Sequence, residues 1–145
     1  MDTGGSIGVE DVELFLRLRE LHRPRATFAV GNAFGFSTVC LSIIYGAPVD
    51  VIDAEAEGQG NQEGSELTRK IALREGLDIS LTIGASPQDT RSALRFMETG
   101  YDLVFIDGFH TDLQTYLDAV GVYPYVQYPF VMVVHDVFSY WLWDG

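Results

Sequence analysis

The sequence predicts an α/β fold, a doubly wound, Rossmann-like parallel sheet forming a single domain over residues 1–145. Three observations lead there. Apolar strand-like runs alternate with helical patterns along the whole chain. The fourth run, Asp102-Leu103-Val104-Phe105-Ile106-Asp107, is apolar throughout its interior, as strands covered on both faces are. Finally, the runs end on small or polar residues: Gly31, Asp53, Gly84-Ala85-Ser86, Asp107-Gly108 and His135-Asp136. Packing alone does not ask for that, whereas open α/β sheets bind ligands at the carboxyl ends of their strands.

The elements follow in order. Residues 1–8 are polar and glycine-rich and read as a frayed end. Val9–Leu21 repeats apolar residues at Val12, Phe15, Leu16 and Leu18, a helix expected against the sheet edge and ended by Pro24. Thr27–Val30 is the first strand. Gly31-Asn32-Ala33-Phe34-Gly35 turns the chain into an apolar helix, Phe36–Tyr45, and Val49–Asp53 is the second strand. Ala54–Gly64 lacks periodicity and reads as a loop, either folding over a ligand or merely solvated. Ser65 can cap a helix over Glu66–Glu75 that Gly76 stops. After a third strand, Ile79–Ile83, the run Ser86-Pro87-Gln88-Asp89 predicts a helix reaching Thr99-Gly100. Thr111-Asp112-Leu113-Gln114 is a second capping signature, opening a helix that ends near Gly121. Phe130–Val134 is the fifth strand.

Composition narrows the function classes. At 145 residues and 47% apolar, the chain can bury a full core. No apolar run is long enough to span a bilayer, so a cytoplasmic protein without a membrane partner is the expectation. A net charge of −12 with nine basic residues argues against nucleic-acid phosphates and anionic membranes and favours a small neutral or cationic ligand. The single cysteine, Cys40, has no partner for an internal disulfide and reads as core filler.

The turn after the first strand carries the most chemistry. Its two glycines let backbone N–H groups approach whatever lies above the sheet, although an ordinary strand–turn–helix junction has the same pattern. Asp53 follows Gly31 by 22 residues, a spacing that suits a carboxylate accepting from both hydroxyls of a ribose. Together they suggest an adenosine-containing cofactor. The turn reads GxxxG, not the GxGxxG of nicotinamide-dependent oxidoreductases, which disfavours that class.

With these residues in place, the chain resembles the class I S-adenosylmethionine-dependent methyltransferases. It looks most like the small-molecule O-methyltransferase branch, whose fourth strand reads DLVFIDGxH and whose fifth ends HD. Here these are Asp102-Leu103-Val104-Phe105-Ile106-Asp107-Gly108-Phe109-His110 and His135-Asp136-Val137, and the likeness runs from about Val9 to Val137. The resemblance implies that Gly31, Asn32, Ala33 and Gly35 line the methionine and ribose portions of S-adenosylmethionine. It implies Asp53 at the ribose and Ala85 and Ser86 near the adenine, with Asp107 facing the methionine or a metal. Phe36, Ser37, Ala54 and Gly108 complete the cofactor-binding set. In the similar metal-dependent enzymes an acid after the fourth strand and a pair after the fifth hold a divalent ion, which maps to Asp107, His135 and Asp136, with Mg²⁺ the expected metal. Without a metal, His110 or His135 is the candidate general base.

Two departures accompany the likeness. Ala29 stands where the family carries an acid two residues before the first glycine. The family also continues past the fifth strand into a helix and an antiparallel strand pair, which this sequence appears without. A non-catalytic binding domain is therefore the rival to O-methylation of a small hydroxylated molecule. The aromatic run Tyr140-Trp141-Leu142-Trp143 and the uncovered sheet edge point to missing sequence or a partner, a homodimer being the expectation.

Overall fold

The computed structural model describes residues 7–55 and 61–136. Their elements are α1 (Val9–Leu21), β1 (Thr27–Val30), α2 (Phe36–Tyr45), β2 (Val49–Asp53), α3 (Asn61–Glu75), β3 (Ile79–Ile83), α4 (Thr90–Ala93), β4 (Tyr101–Ile106), α5 (Asp112–Val122) and β5 (Val126–Val134). The five strands form one parallel sheet in the order β3-β2-β1-β4-β5, and no antiparallel pair occurs among the described residues. The chain steps outward from β1 to β3, then returns to the other side of β1 for β4. The reversal leaves a crevice at the carboxyl ends of β1 and β4.

Strand alternation sorts the core into two layers. Phe28, Val30, Ile52, Val104 and Ile106 face one way and pack with Ala93, Leu94 and Val122 from the α4 and α5 side. Ala29, Val51, Leu103 and Phe105 face the other way and pack with Phe15 of α1 and Leu41 of α2. β1 and β4 are buried on both faces, which is why neither shows a polar alternation in sequence. The Phe15 ring meets Phe105 of β4 edge-on at 5.3 Å, which packs α1 on the face of the sheet beside the edge strand β5. Cys40 is half-buried, and burial raises its thiol pKa, in keeping with a packing role.

Three segments depart from the sequence reading. α3 begins at Asn61, so Ser65 lies inside the helix and caps nothing. Gly64 is tolerated there because it touches the β1 turn: a Cβ on it would lie 2.0 Å from the Ala33 carbonyl oxygen. The long helix expected from Ser86 shrinks to Thr90–Ala93. Asp89 turns its carboxylate back onto the Ala85 N–H at 2.9 Å, and the Arg95 N–H is captured by Asp50 Oδ2 at 2.8 Å, which draws the chain out of helical geometry. β5 starts at Val126, and its pairing with β4 slips between Tyr101 and Leu103, the stretch that accommodates Pro129 on this edge strand. Tyr140, Trp141, Leu142 and Trp143, like Val137, lie outside the described residues.

A polar knot closes the sheet end away from the crevice. Asp50 is fully buried in β2, accepts from the Tyr101 hydroxyl and is ion-paired with Arg95 Nε. Arg95 also bonds Asp78 at 2.6 Å. Removing Arg95 leaves a buried carboxylate without its cation, whereas the Arg74–Glu75 pair is solvent-exposed. Arg95→Ala is expected to cost about 2–3 kcal/mol in urea denaturation, and Arg74→Ala less than about 0.5 kcal/mol. Similar losses in the two variants would contradict this assignment of the knot.

Candidate active site

The β1–α2 turn is held by side chains from three elements. Gly31 has φ +92°, and a Cβ there would sit 2.1 Å from the Asp107 carbonyl oxygen. Gly35 has φ +83°, and its Cβ would meet Thr68 Oγ1 at 1.9 Å. Both glycines are thus required by contacts within the chain, with β4 and with α3, before any ligand is considered. Asn32 is buried and tied to the scaffold: its Oδ1 accepts from Thr38 at 2.9 Å and its Nδ2 donates to Thr68 at 3.0 Å.

Asp53 clamps this turn from the end of β2. Its Oδ2 accepts from the Asn32 and Ala33 N–H groups at 2.6 and 3.0 Å, and its Oδ1 accepts from the Glu55 N–H at 2.6 Å. A carboxylate offers about four acceptor sites, so one remains for a ligand hydroxyl. Ala33 and Glu55 both adopt positive φ, +45° and +51°, conformations that an alanine or glutamate holds only when its surroundings fix it.

All the residues expected to contact a cofactor, Gly35 excepted, border one cavity of about 350 Å³ at the crevice. Gly35 lies behind the turn, against α3. Sequence reasoning missed several further wall residues: Ile7, Phe34, Phe109, Gln114 and Asp118. Gln114 was expected only as part of a capping box. The Thr111 hydroxyl does accept from the Gln114 N–H at 3.2 Å, but the Gln114 side chain instead donates to the Ser86 carbonyl and to Asp118 Oδ1, each at 2.7 Å. Asp118 carried a readable signal, a lone acid in an otherwise apolar helix segment. Ile7 carried none.

The ionisable side chains gather where β4 and β5 end. His110 borders the cavity, with Nε2 3.9 Å from Asp107 Oδ1 and 3.7 Å from Asp136 Oδ2. One ligand atom from each of Asp107, His110 and Asp136 falls within 4.8 Å of the others. His135 is placed differently from the sequence expectation. Its Nδ1 is shielded from solvent and lies 3.0 Å from Asp107 Oδ1 and 3.4 Å from Asp136 Oδ1, without a well-aligned hydrogen bond to either. Its Nε2 faces Asp11 of α1 at 3.3 Å. The Asp107 carboxylate, helped by Asp136 and Asp11 and opposed by burial, pushes the His135 pKa up to about 9. Both ring nitrogens of His135 are turned toward carboxylates, so this residue bridges Asp11 of α1 to Asp107 at the end of β4. Ala29 sits in the core beside Phe15, Leu41 and Phe105 and offers the cavity no polar group.

The sequence matches no family profile, and comparison with curated proteins returns no match. Solved structures do match. The chain is similar to the O-methyltransferase TomG from Streptomyces achromogenes, in complex with S-adenosylmethionine, at TM-score 0.71 and 16% identity, covering 89% of this chain and 56% of that one. It is also similar to an O-methyltransferase from Bacillus cereus in complex with S-adenosylhomocysteine, at TM-score 0.70 and 16% identity, covering 90% and 58%. An S-adenosylhomocysteine-bound methyltransferase from Podospora anserina matches at TM-score 0.66 and 10% identity, covering 90% and 53%. The fold is therefore that of S-adenosylmethionine-dependent methyltransferases, and the chain spans little more than half the length of these structures. No helix among the described residues is long and apolar enough to cross a membrane.

The raised pKa of His135 has a consequence for stability. Its contacts contribute in full below about pH 6.5, where the imidazole is protonated folded or unfolded, and are lost as pH rises through about 9. In chelator-treated protein the melting temperature is expected to fall across that interval, and His135→Gln to lower it at neutral pH and flatten the fall. Identical pH profiles for the two proteins would exclude a charged His135.

Proposed function

We propose that the chain is an S-adenosylmethionine-dependent methyltransferase acting on a hydroxyl oxygen of a small molecule. The observation that carries this reading is the coincidence of the cavity with the clamped β1 turn, Asp53 and the β4 end, in a fold shared with cofactor-bound O-methyltransferases. In this reading the remaining acceptor site of Asp53 takes a ribose hydroxyl, and Ala54, Ala85, Ser86 and Gly108 leave a slot for the base. Acidic groups at the β4 and β5 ends suit a positively charged sulfonium.

The transfer is an in-line displacement. The acceptor oxygen forms a bond to the methyl carbon as the carbon–sulfur bond breaks, giving S-adenosylhomocysteine, and the hydroxyl proton passes to His110 Nε2. The protein's part is alignment and charge placement more than covalent chemistry. His110 is the imidazole that borders the cavity, and its Nε2 lies beside Asp107 and Asp136.

A second reading has support from the spacing of Asp107, His110 and Asp136, which fits one divalent cation with mixed oxygen and nitrogen ligands. Such an ion, Mg²⁺ or a softer relative, would lower the pKa of a bound hydroxyl. His110 would then be a ligand and not a base.

Titration calorimetry with S-adenosylmethionine is expected to show micromolar binding, weakened at least about tenfold by Asp53→Ala, which removes both clamp and ribose acceptor. Absence of binding to the intact protein would refute the assignment. His110→Ala is expected to lower methyl transfer to catechol-type or other hydroxylated acceptors by about 10²–10⁴ while leaving cofactor affinity within about threefold. Loss of turnover on adding EDTA, restored by Mg²⁺, would favour the cation reading, and indifference to EDTA the base reading.

A further inference from the structure

Residues 112–134 carry little charge. They contain Asp112 and Asp118 and no Glu, Lys, Arg or His, in a chain of net charge −12. Asp118 and Val122 of α5 are buried, and Gly121 seats the helix against Pro87, where a Cβ would fall 2.5 Å from Pro87 Cβ. The opposite face of α5 looks outward. It carries Leu113, Tyr116, Val120 and Tyr123, spaced three, four and three residues apart, which sets them in one row along the helix.

All four, together with Tyr128, are 48% to 68% exposed. The Tyr123 and Tyr128 hydroxyls bond at 2.6 Å, and both rings pack edge-on against Phe130, at 6.2 and 5.0 Å. One end of the row is thus an aromatic platform fixed by three mutual contacts, and such side chains are enriched at protein interfaces. Exposed apolar side chains on other helices sit among exposed charges: Leu14 beside Glu13 and Arg17 on α1, Leu73 beside Arg74 on α3. The α5 row has no such neighbours within it and is a contiguous apolar patch.

We propose that this face receives a second copy of the chain, packed antiparallel about a two-fold axis between Tyr116 and Val120. Charge selects that occupant. Two molecules of net charge −12 repel each other, so copies can meet only on a face nearly free of charge, whereas a cationic partner would be drawn to the acidic remainder of the surface. The exposed acid of α5, Asp112, lies at one end of the helix. Antiparallel packing holds the two Asp112 carboxylates roughly 16 Å apart along the axis and opposes the helix dipoles. The row is also self-complementary: Leu113 meets the partner's Tyr123, and Tyr116 meets the partner's Val120. The five exposed side chains supply on the order of 500 Å² per copy, near the roughly 600 Å² per partner at the low end of stable interfaces. The proposal is independent of what the cavity binds.

Sedimentation velocity of the full chain, from about 1 to 200 µM, tests it. A monomer–dimer equilibrium with a Kd of about 1–20 µM is expected. Val120→Glu sets like charges near the two-fold axis and is expected to raise Kd at least about 30-fold. Leu73→Glu, an exposed apolar position on α3, is expected to leave Kd within about threefold. Both side chains are exposed, so both variants are expected to keep the wild-type melting temperature. Monomeric wild-type protein across the range would overturn the proposal and leave the face to a different partner, and this result needs no variant. Growth beyond a dimer would also overturn it, since a two-fold face closes on itself. A folded Val120→Glu that dimerises like the wild type would put the contact on another surface and overturn it as well.

Discussion

The carboxylate of Asp53 is the interaction on which the crevice depends. The β1 turn threads positive φ angles at Gly31, Ala33 and Gly35 through a few residues, a path that no helix or sheet ladder supports. Two consecutive N–H groups, of Asn32 and Ala33, point into a single oxygen of Asp53, and charge-assisted bonds of this kind are about twice as strong as neutral ones. The other oxygen fixes Glu55, so one side chain shapes the ends of both β1 and β2. Behind the turn, Gly64 and Thr68 of α3 press against Ala33, Gly35 and Asn32. The cavity floor is thus a fixed surface, clamped by Asp53 and braced from behind by α3.

Charge organises the opposite wall. A chain of net charge −12 gathers Asp107 and Asp136 near one another at the ends of β4 and β5, and it does so by placing the His135 cation between them and Asp11. The imidazolium lowers the repulsion between these acids and draws α1 over the sheet, bringing Ile7 to the cavity wall. His110 lies near the same acids and borders the cavity. The two histidines have similar sequence settings and opposite surroundings.

The fold was legible because the strands are short apolar runs whose period and ends are local properties, as in Leu103–Ile106. The helix after β3 was misread because its fate is decided at a distance: Asp50, far off in sequence, captures the Arg95 backbone, and no local pattern announces that. The β1 turn and Asp53 were recognisable from spacing, yet their first partners are each other, since hydrogen-bond geometry cannot be read from residue order. His135 and His110 could not be told apart in sequence for the same reason, as Asp11 lies at the other end of the chain. Asp118 was visible as an acid in a largely apolar stretch of helix, but that no cation among the described residues pairs with it became visible only in three dimensions.

The central claim is that one clamped crevice receives the cofactor. Amide chemical-shift mapping of the isotope-labelled protein titrated with S-adenosylhomocysteine tests it most directly. The account predicts the largest shifts at Gly31–Ser37, Asp53–Glu55, Gly84–Ser86 and Asp107–His110, with the Asp50–Arg95–Tyr101 knot unmoved. Shifts centred elsewhere, or none at saturating ligand, would contradict it.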